Sequence, residues 1–252
     1  DVDGNSTNVA PETYLISVHS PVKVLRGGLG ATITQDQIGH FNDIALNIMY
    51  AYQTTLGLGD LGIGVQLSLM NKSIDYGKFN FRDSGDPILD GKGEETDMYF
   101  DAGLGLYYRV PDTYYIGLSV LQLLEAKRPD GTQFNQRRQI NLMGGYEFGF
   151  PSLPAIDVLP SIMIKTDGAS VEYDLTGLLR YKNQFWGGVS FRYQDAIAFI
   201  VGFDYKNFNI GYSYDFNTSA ISTTGTHEIR ASYCFKIEID KVKKIYRNTR
   251  FL

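Results

Sequence analysis

Hydrophobic and polar positions alternate along almost the whole chain. Ile44, Leu46, Ile48, Tyr50 and Tyr52 alternate with Ala45, Asn47, Met49, Ala51 and Gln53. Leu61, Ile63, Val65, Leu67 and Leu69 do the same with Gly62, Gly64, Gln66, Ser68 and Met70. The same period runs through 100–108, 171–181, 185–193 and 229–235. A period of two sends successive side chains to opposite faces of a strand. It predicts thirteen strands, at roughly 14–20, 26–35, 43–53, 60–70, 98–109, 113–123, 138–148, 156–165, 171–181, 184–194, 196–205, 207–215 and 226–236. No helix is predicted before residue 236, and no composition shift marks a boundary between domains.

Many of these runs span about ten residues, against the five or six of a typical soluble strand. That length suits a tilted strand crossing a bilayer, which needs about nine to eleven. The connections sort by length. Short turns fall near 57–60, 111–112, 151–154, 182–183 and 206–207, with longer stretches at 36–42, 71–97, 124–137, 166–170 and 216–225 between them. Only the 194–196 connection breaks the contrast. Short periplasmic turns and long extracellular loops characterise outer-membrane barrels. Tyr50, Tyr52, Tyr107, Tyr108, Tyr114, Tyr115, Tyr146, Phe148, Tyr181, Phe185, Trp186, Tyr205 and Phe208 gather at the short-turn ends. An interfacial aromatic girdle is expected there. The fold class predicted is therefore all-β: a transmembrane antiparallel up-and-down outer-membrane β-barrel. Bacterial single-chain barrels have even strand numbers, so the expectation is about 14 strands, one of them preceding Asp1. On this reading residues 1–236 form the barrel, Ile229, Ala231, Tyr233 and Phe235 face lipid, and residues 237–252 form a basic periplasmic tail.

Composition removes several other classes. The 252 residues carry a formal net charge of −5, so a nucleic-acid partner is not expected. No apolar run approaches the ~20 residues of a spanning helix, and the first residues form no leader pattern. The slightly negative mean hydropathy leaves a barrel open, because alternating strands average out. One cysteine, Cys234, allows no disulfide within the chain.

Motifs of catalysis are missing. "GLGDLG" (57–62) matches the dinucleotide fingerprint on paper, but a strand follows where a helix is needed. The acidic stretch "RDSGDPILDGKGEETD" (82–97) has Gly85 and Pro87 at the third and fifth positions, where an EF-hand needs ligands. His19, His40 and His227 lie on separate segments, with no H-E-x-x-H and no G-x-S-x-G. No catalytic residue, cofactor or metal ligand is assigned. The chain reads as non-enzymatic.

Three groups remain as candidates for partner contact or lumen lining. The connection 71–97 exceeds the ~12–15 residues beyond which loops are usually functional or disordered. It mixes Tyr76, Phe79, Phe81, Ile88 and Leu89 with six carboxylates, which suits an apolar anchor with a charged rim. A loop closing the barrel mouth is the alternative. His227 is placed at the extracellular rim. Glu172, Asp174, Arg180, Arg192, Asp204, Asp215, Glu228 and Arg230 fall on lumen positions, and their mixed signs favour an interior network over a solute path. The tail "KIEIDKVKKIYRNTRFL" (236–252) sets six basic residues against Glu238 and Asp240, and offers Lys243, Lys244, Arg247 and Arg250 to a periplasmic partner.

Several segments resemble one known family. They are "RGGLGATITQDQIG" (26–39), "NKSIDYGKF" (71–79) with "DP" (86–87), "YYIGLSVLQL" (114–123), "GYSYDFNTSAISTTGTHEIRASYCF" (211–235) and "RNTRFL" (247–252). Together they are similar to the PorP/SprF membrane proteins of the type IX secretion system of Bacteroidota. The family's N-terminal Asn-Pro-Ala-type segment is absent from this sequence. The resemblance implies an outer-membrane barrel that is not the protein-conducting channel. It implies work with large secreted surface proteins, including gliding adhesins with a type B C-terminal domain, held at the cell surface. It also implies a link, in some members, to a periplasmic lipoprotein ring. The family brings no catalytic residues. A small-solute diffusion channel is the competing function.

Overall fold

The computed structural model describes residues 11–75, 94–126, 136–218 and 225–235. They form a single antiparallel sheet. Its first strands are β1 (Glu12–Val22), β2 (Gly27–Ile38), β3 (Phe41–Leu56), β4 (Gly59–Asp75), β5 (Glu94–Val110), β6 (Tyr114–Leu121) and β7 (Gln139–Tyr146). There follow β8 (Phe148–Phe150), β9 (Leu153–Thr166), β10 (Val171–Tyr181), β11 (Phe185–Arg192), β12 (Ala196–Tyr205), β13 (Phe208–Asn217) and β14 (Thr226–Tyr233). Each strand pairs with its neighbours in chain order, which is up-and-down topology. The exception is β8, which pairs with β9 beyond the end of β7. The two pieces are one strand interrupted at Glu147, whose N–H continues the pairing with the β5–β6 turn by donating to Thr113 O at 2.7 Å. All thirteen expected strands are present. β1 and β14 are the edges, run in the same sense and do not pair with each other among the described residues.

The strands overrun two of the expected loops. Instead of a loop at 36–42, β2 and β3 pair up to Ile38 and Phe41, leaving a two-residue turn at Gly39 and His40. β4 and β5 likewise pair up to Asp75 and Glu94, so the connection is 76–93 rather than 71–97. The long connections 76–93, 122–138 and 218–225 still open at one end of the sheet, and the turns at the other end stay tight. At that tight end Lys182 and Asn183 take φ of 52° and 54°. Left-handed φ at both central residues matches the twist of a tight hairpin.

The two faces divide as the alternation requires. Ile63, Val65, Leu67, Leu104, Leu118, Leu175, Val189 and Val201 are each more than 40 % exposed on the outer face. Ile229, Tyr233 and Phe235 continue that face on β14. No dry core lies beneath. Among the described residues only Tyr99 and Ala196 are buried apolar positions, with Ser68, Asp101 and Gln136 as the buried polar ones. An apolar surface of this extent facing outward, with polar residues inside, is the arrangement of a lipid-embedded barrel wall.

Candidate functional site: the inner face and its rims

The register lines up inner-face residues in rows across the strands. One row runs Asp157, Arg180, Trp186, Gly202, Gly211, Arg230 across β9 to β14. The next, away from the tight turns, runs Leu159, Leu178, Gly188, Ile200, Ser213, Glu228. Charges expected in the lumen fall into separate groups on these rows and on the rows to either side.

Near the long-connection end, Lys165 bridges Glu172 (2.7 Å) and Asp174 (3.4 Å). Arg192 reaches Asp174 at 3.0 Å, Glu172 at 3.6 Å and Asp195 at 3.2 Å. Near the tight end Arg180 is held by Asp157 at 3.0 Å and by Glu147. In a third group Asn209 donates to Asp204 at 2.6 Å and accepts from Arg230 at 2.6 Å. Asp215 and Glu228 face the same side, with no ion pair among the described residues. Sequence reasoning missed Lys165, Asp195, Glu147 and Asp157. The inner parity of Lys165 and Asp157 was readable, and so was that of Glu147, which lies between the outward Tyr146 and Phe148.

Three aromatics expected in the outer girdle belong to the inner face instead. Tyr107 stacks on Tyr115 with ring centroids 5.9 Å apart, across β5 and β6. Their neighbours Tyr108 and Tyr114 pair on the outside. Trp186 shares its row with Arg180 and Arg230. Its indole lies flat against the wall: a Cβ at Gly202 would stand 2.2 Å from Cζ2, and one at Gly211 would stand 2.7 Å from Cη2. Only glycine leaves room for the ring at these two positions. Above the indole a cavity of about 460 Å³ opens, lined by Leu159, Leu178, Ile200, Asp204, Glu228 and Arg230.

On the opposite wall the neck of the β6–β7 connection turns inward. Asp101 is 1 % exposed, and its Oδ1 accepts the N–H of Leu124 at 3.1 Å and of Ala102 at 2.6 Å. Gln136 packs there too, with Nε2 3.3 Å from Met70 Sδ. The mouth-closing alternative considered for the connection 71–97 falls on residues 76–93, outside the described residues.

His227 sits at the long-connection end as expected, but on the outer face, where Nδ1 is 2.8 Å from Tyr212 Oη and Tyr214 lies alongside. It is therefore on the opposite side of β14 from Glu228. His19 lies on β1 and His40 in the 39–40 turn, so the three histidines do not converge. The candidates Tyr76, Phe79, Phe81, Ile88 and Leu89 lie outside the described residues, as do Lys243, Lys244, Arg247 and Arg250. Among the described residues no group of three or more His, Cys, Asp or Glu gathers as metal ligands would.

Compared with known proteins, residues 5–233 match the family described as type IX secretion system membrane protein PorP/SprF. No curated protein matches the chain.

Proposed function

Since this chain belongs to the PorP/SprF family of type IX secretion system membrane proteins, we propose that it is a non-enzymatic outer-membrane barrel anchoring a secreted cargo protein at the cell surface. The cargo is a large surface protein of the gliding-adhesin type, bound through its C-terminal targeting domain, in a Gram-negative bacterium of the Bacteroidota. The supporting observation is the gathering of the long connections 76–93, 122–138 and 218–225 at one end of the wall. In this reading that end is extracellular, and Tyr76, Phe79, Phe81, Ile88 and Leu89 supply the apolar anchor for the cargo. The basic residues Lys243, Lys244, Arg247 and Arg250 leave at the periplasmic side, where the lipoprotein components of the machinery are reached.

A small-solute channel is the second reading. It draws on a smooth inner row, Gly28, Ala51, Gly64, Gly105 and Ser119, running from β2 to β6. One experiment separates the two. Residues 78–91 are replaced by a short Gly/Ser turn, which spares the rungs up to Asp75 and Glu94. The anchor reading expects an inserted, heat-modifiable barrel and cargo released into the medium. Cargo retained on cells that have become permeable to small hydrophilic solutes would instead make the loop a plug and favour the channel.

A further inference from the structure

The cavity beside Trp186 has the chemistry of a seat for a basic, partly apolar segment. Asp204 and Glu228 line it together with the guanidinium groups of Arg180 and Arg230, and Glu147 and Asp157 hold Arg180 from outside the cavity. Arg180 is already spent on Glu147 and Asp157. Asp204 meets only the Asn209 amide, and Glu228 pairs with no cation among the described residues. The local excess is therefore negative. Leu159, Leu178 and Ile200 form a ledge, and the indole face of Trp186 forms the floor. An ammonium or guanidinium over an indole is attracted by the ring, and its methylene stem covers apolar wall.

We propose that residues 236–252 of this same chain fold back from the end of β14 and seat a basic side chain in this cavity. The charge complements it: six basic residues stand against Glu238 and Asp240 in that segment. Reach is sufficient. Arg230, on the floor row, precedes Phe235 by five residues, about 17 Å of strand. Seventeen residues extend to about 56 Å, so a reversal brings Lys243, Lys244 or Arg247 level with Trp186 and leaves chain over. The segment does not suit the lipid face beside β14. Lys241, Lys243 and Arg247 occupy one parity and Lys244 and Arg250 the other, so either face of a strand would put cations into hydrocarbon. The lumen, with its unmatched carboxylates, accepts them. A periplasmic partner that captures the tail would have to draw it from this seat.

Trp186 is the only tryptophan, so its emission reports on the cavity alone. The purified full chain in detergent micelles is compared with a chain ending at Phe235. The shorter chain should show red-shifted emission and at least twofold greater acrylamide quenching. A synthetic peptide of residues 236–252 should reverse both changes, and the same peptide with glutamate at 243, 244, 247 and 250 should not. A second arm covers failure of the shorter chain to insert. In the full chain with Cys234→Ser, Lys244→Cys paired with the cavity-lining Ser213→Cys should cross-link within one chain through a short bismaleimide. Lys244→Cys paired with the outward Val201→Cys should not. Identical Trp186 emission and quenching with and without the tail would overturn the proposal. So would equal cross-linking to both positions, or cross-links formed only between separate copies. None of these readouts involves cargo, so they stand or fall apart from the anchoring role.

Discussion

An arginine on the outer face should cost stability according to its depth. β4 offers a clean series, because Leu61, Ile63, Val65, Leu67 and Leu69 all point outward, the last four 40–52 % exposed. From Leu61 to Leu69 is eight residues. At ~3.3 Å per residue and a tilt of ~40°, they climb about 20 Å, most of the ~25 Å apolar band of an outer-membrane barrel. Val65 is then nearest the midplane of the three positions to be tested. Val65→Arg should cost about 2–4 kcal/mol, and Leu61→Arg and Leu69→Arg about 0–1 kcal/mol each. At ~1.4 kcal/mol per decade the midplane cost is roughly a 30- to 800-fold fall in the folded ratio. The inward control is Gly64→Arg, where an added Cβ meets nothing closer than 3.8 Å. Its charge enters the lumen, so no hydrocarbon cost applies. Urea titration from lipid vesicles, followed by Trp186 emission, reads all four variants. Equal costs at the three outward positions would refute the face assignment, as would a Gly64 variant matching Val65→Arg.

Three further outcomes follow from individual contacts. Asp167, in the turn after β9, accepts N–H bonds from Ser170 at 2.8 Å and Ala169 at 3.0 Å, and a bond from Ser170 Oγ at 3.0 Å. These bonds, the Ser170 amide foremost, hold its pKa down to about 2. A lowered folded pKa means the turn's stabilisation is complete above about 3.8 and is lost as pH falls through about 2. The Asp167 carboxyl resonance should titrate near 2, and a midpoint near 3.8 would mean the turn is not formed. Gly202→Val should drive the Trp186 indole off the wall and shift its emission, and unchanged emission would contradict the flat seating. With Cys234→Ser as background, Ala169→Cys, in the exposed turn between β9 and β10, should react with an impermeant maleimide on whole cells and Lys182→Cys should not; the reverse would invert the barrel.

The strand set was legible because a backbone ladder with one face in lipid forces two-residue alternation over about ten residues. Strand ends were not, because above the bilayer nothing requires apolar residues. Asp36 pairs with Asp43, and Gln35 Nε2 reaches Asn42 Oδ1 at 3.1 Å. That polar stretch read as a loop, yet it is hairpin whose side chains meet water on both faces. The girdle was overread for a related reason. Residue type placed Tyr107, Tyr115 and Trp186 at the right height, but only parity decides the face. Lumen charges were found by parity and their partners were not, since pairing depends on register between strands. Asp101 gave no signal of its burial, which comes from Leu124 at the neck of a connection that sequence treated as exterior.

The ion pairs of the inner face bear on which function the wall serves. Arg180 on β10 ties Asp157 on β9 to Glu147 at the β7–β8 break. Lys165 on β9 and Arg192 on β11 close on the same two carboxylates of β10, Glu172 and Asp174. Each cation therefore bridges neighbouring strands and has its charge matched on the wall. A solute path selects by presenting unmatched charge of one sign along its length, and these groups leave little of it. With two buried apolar residues among those described, no packed core fixes the strand order. Cross-strand pairs that remain partly solvated contribute modestly one by one, yet networked from the β7–β8 break to β11 they hold register where burial cannot. The Asp101 carboxylate extends the same logic by fixing a connection inside the wall. These paired groups serve the wall itself, and their matched charge counts against the solute-path reading.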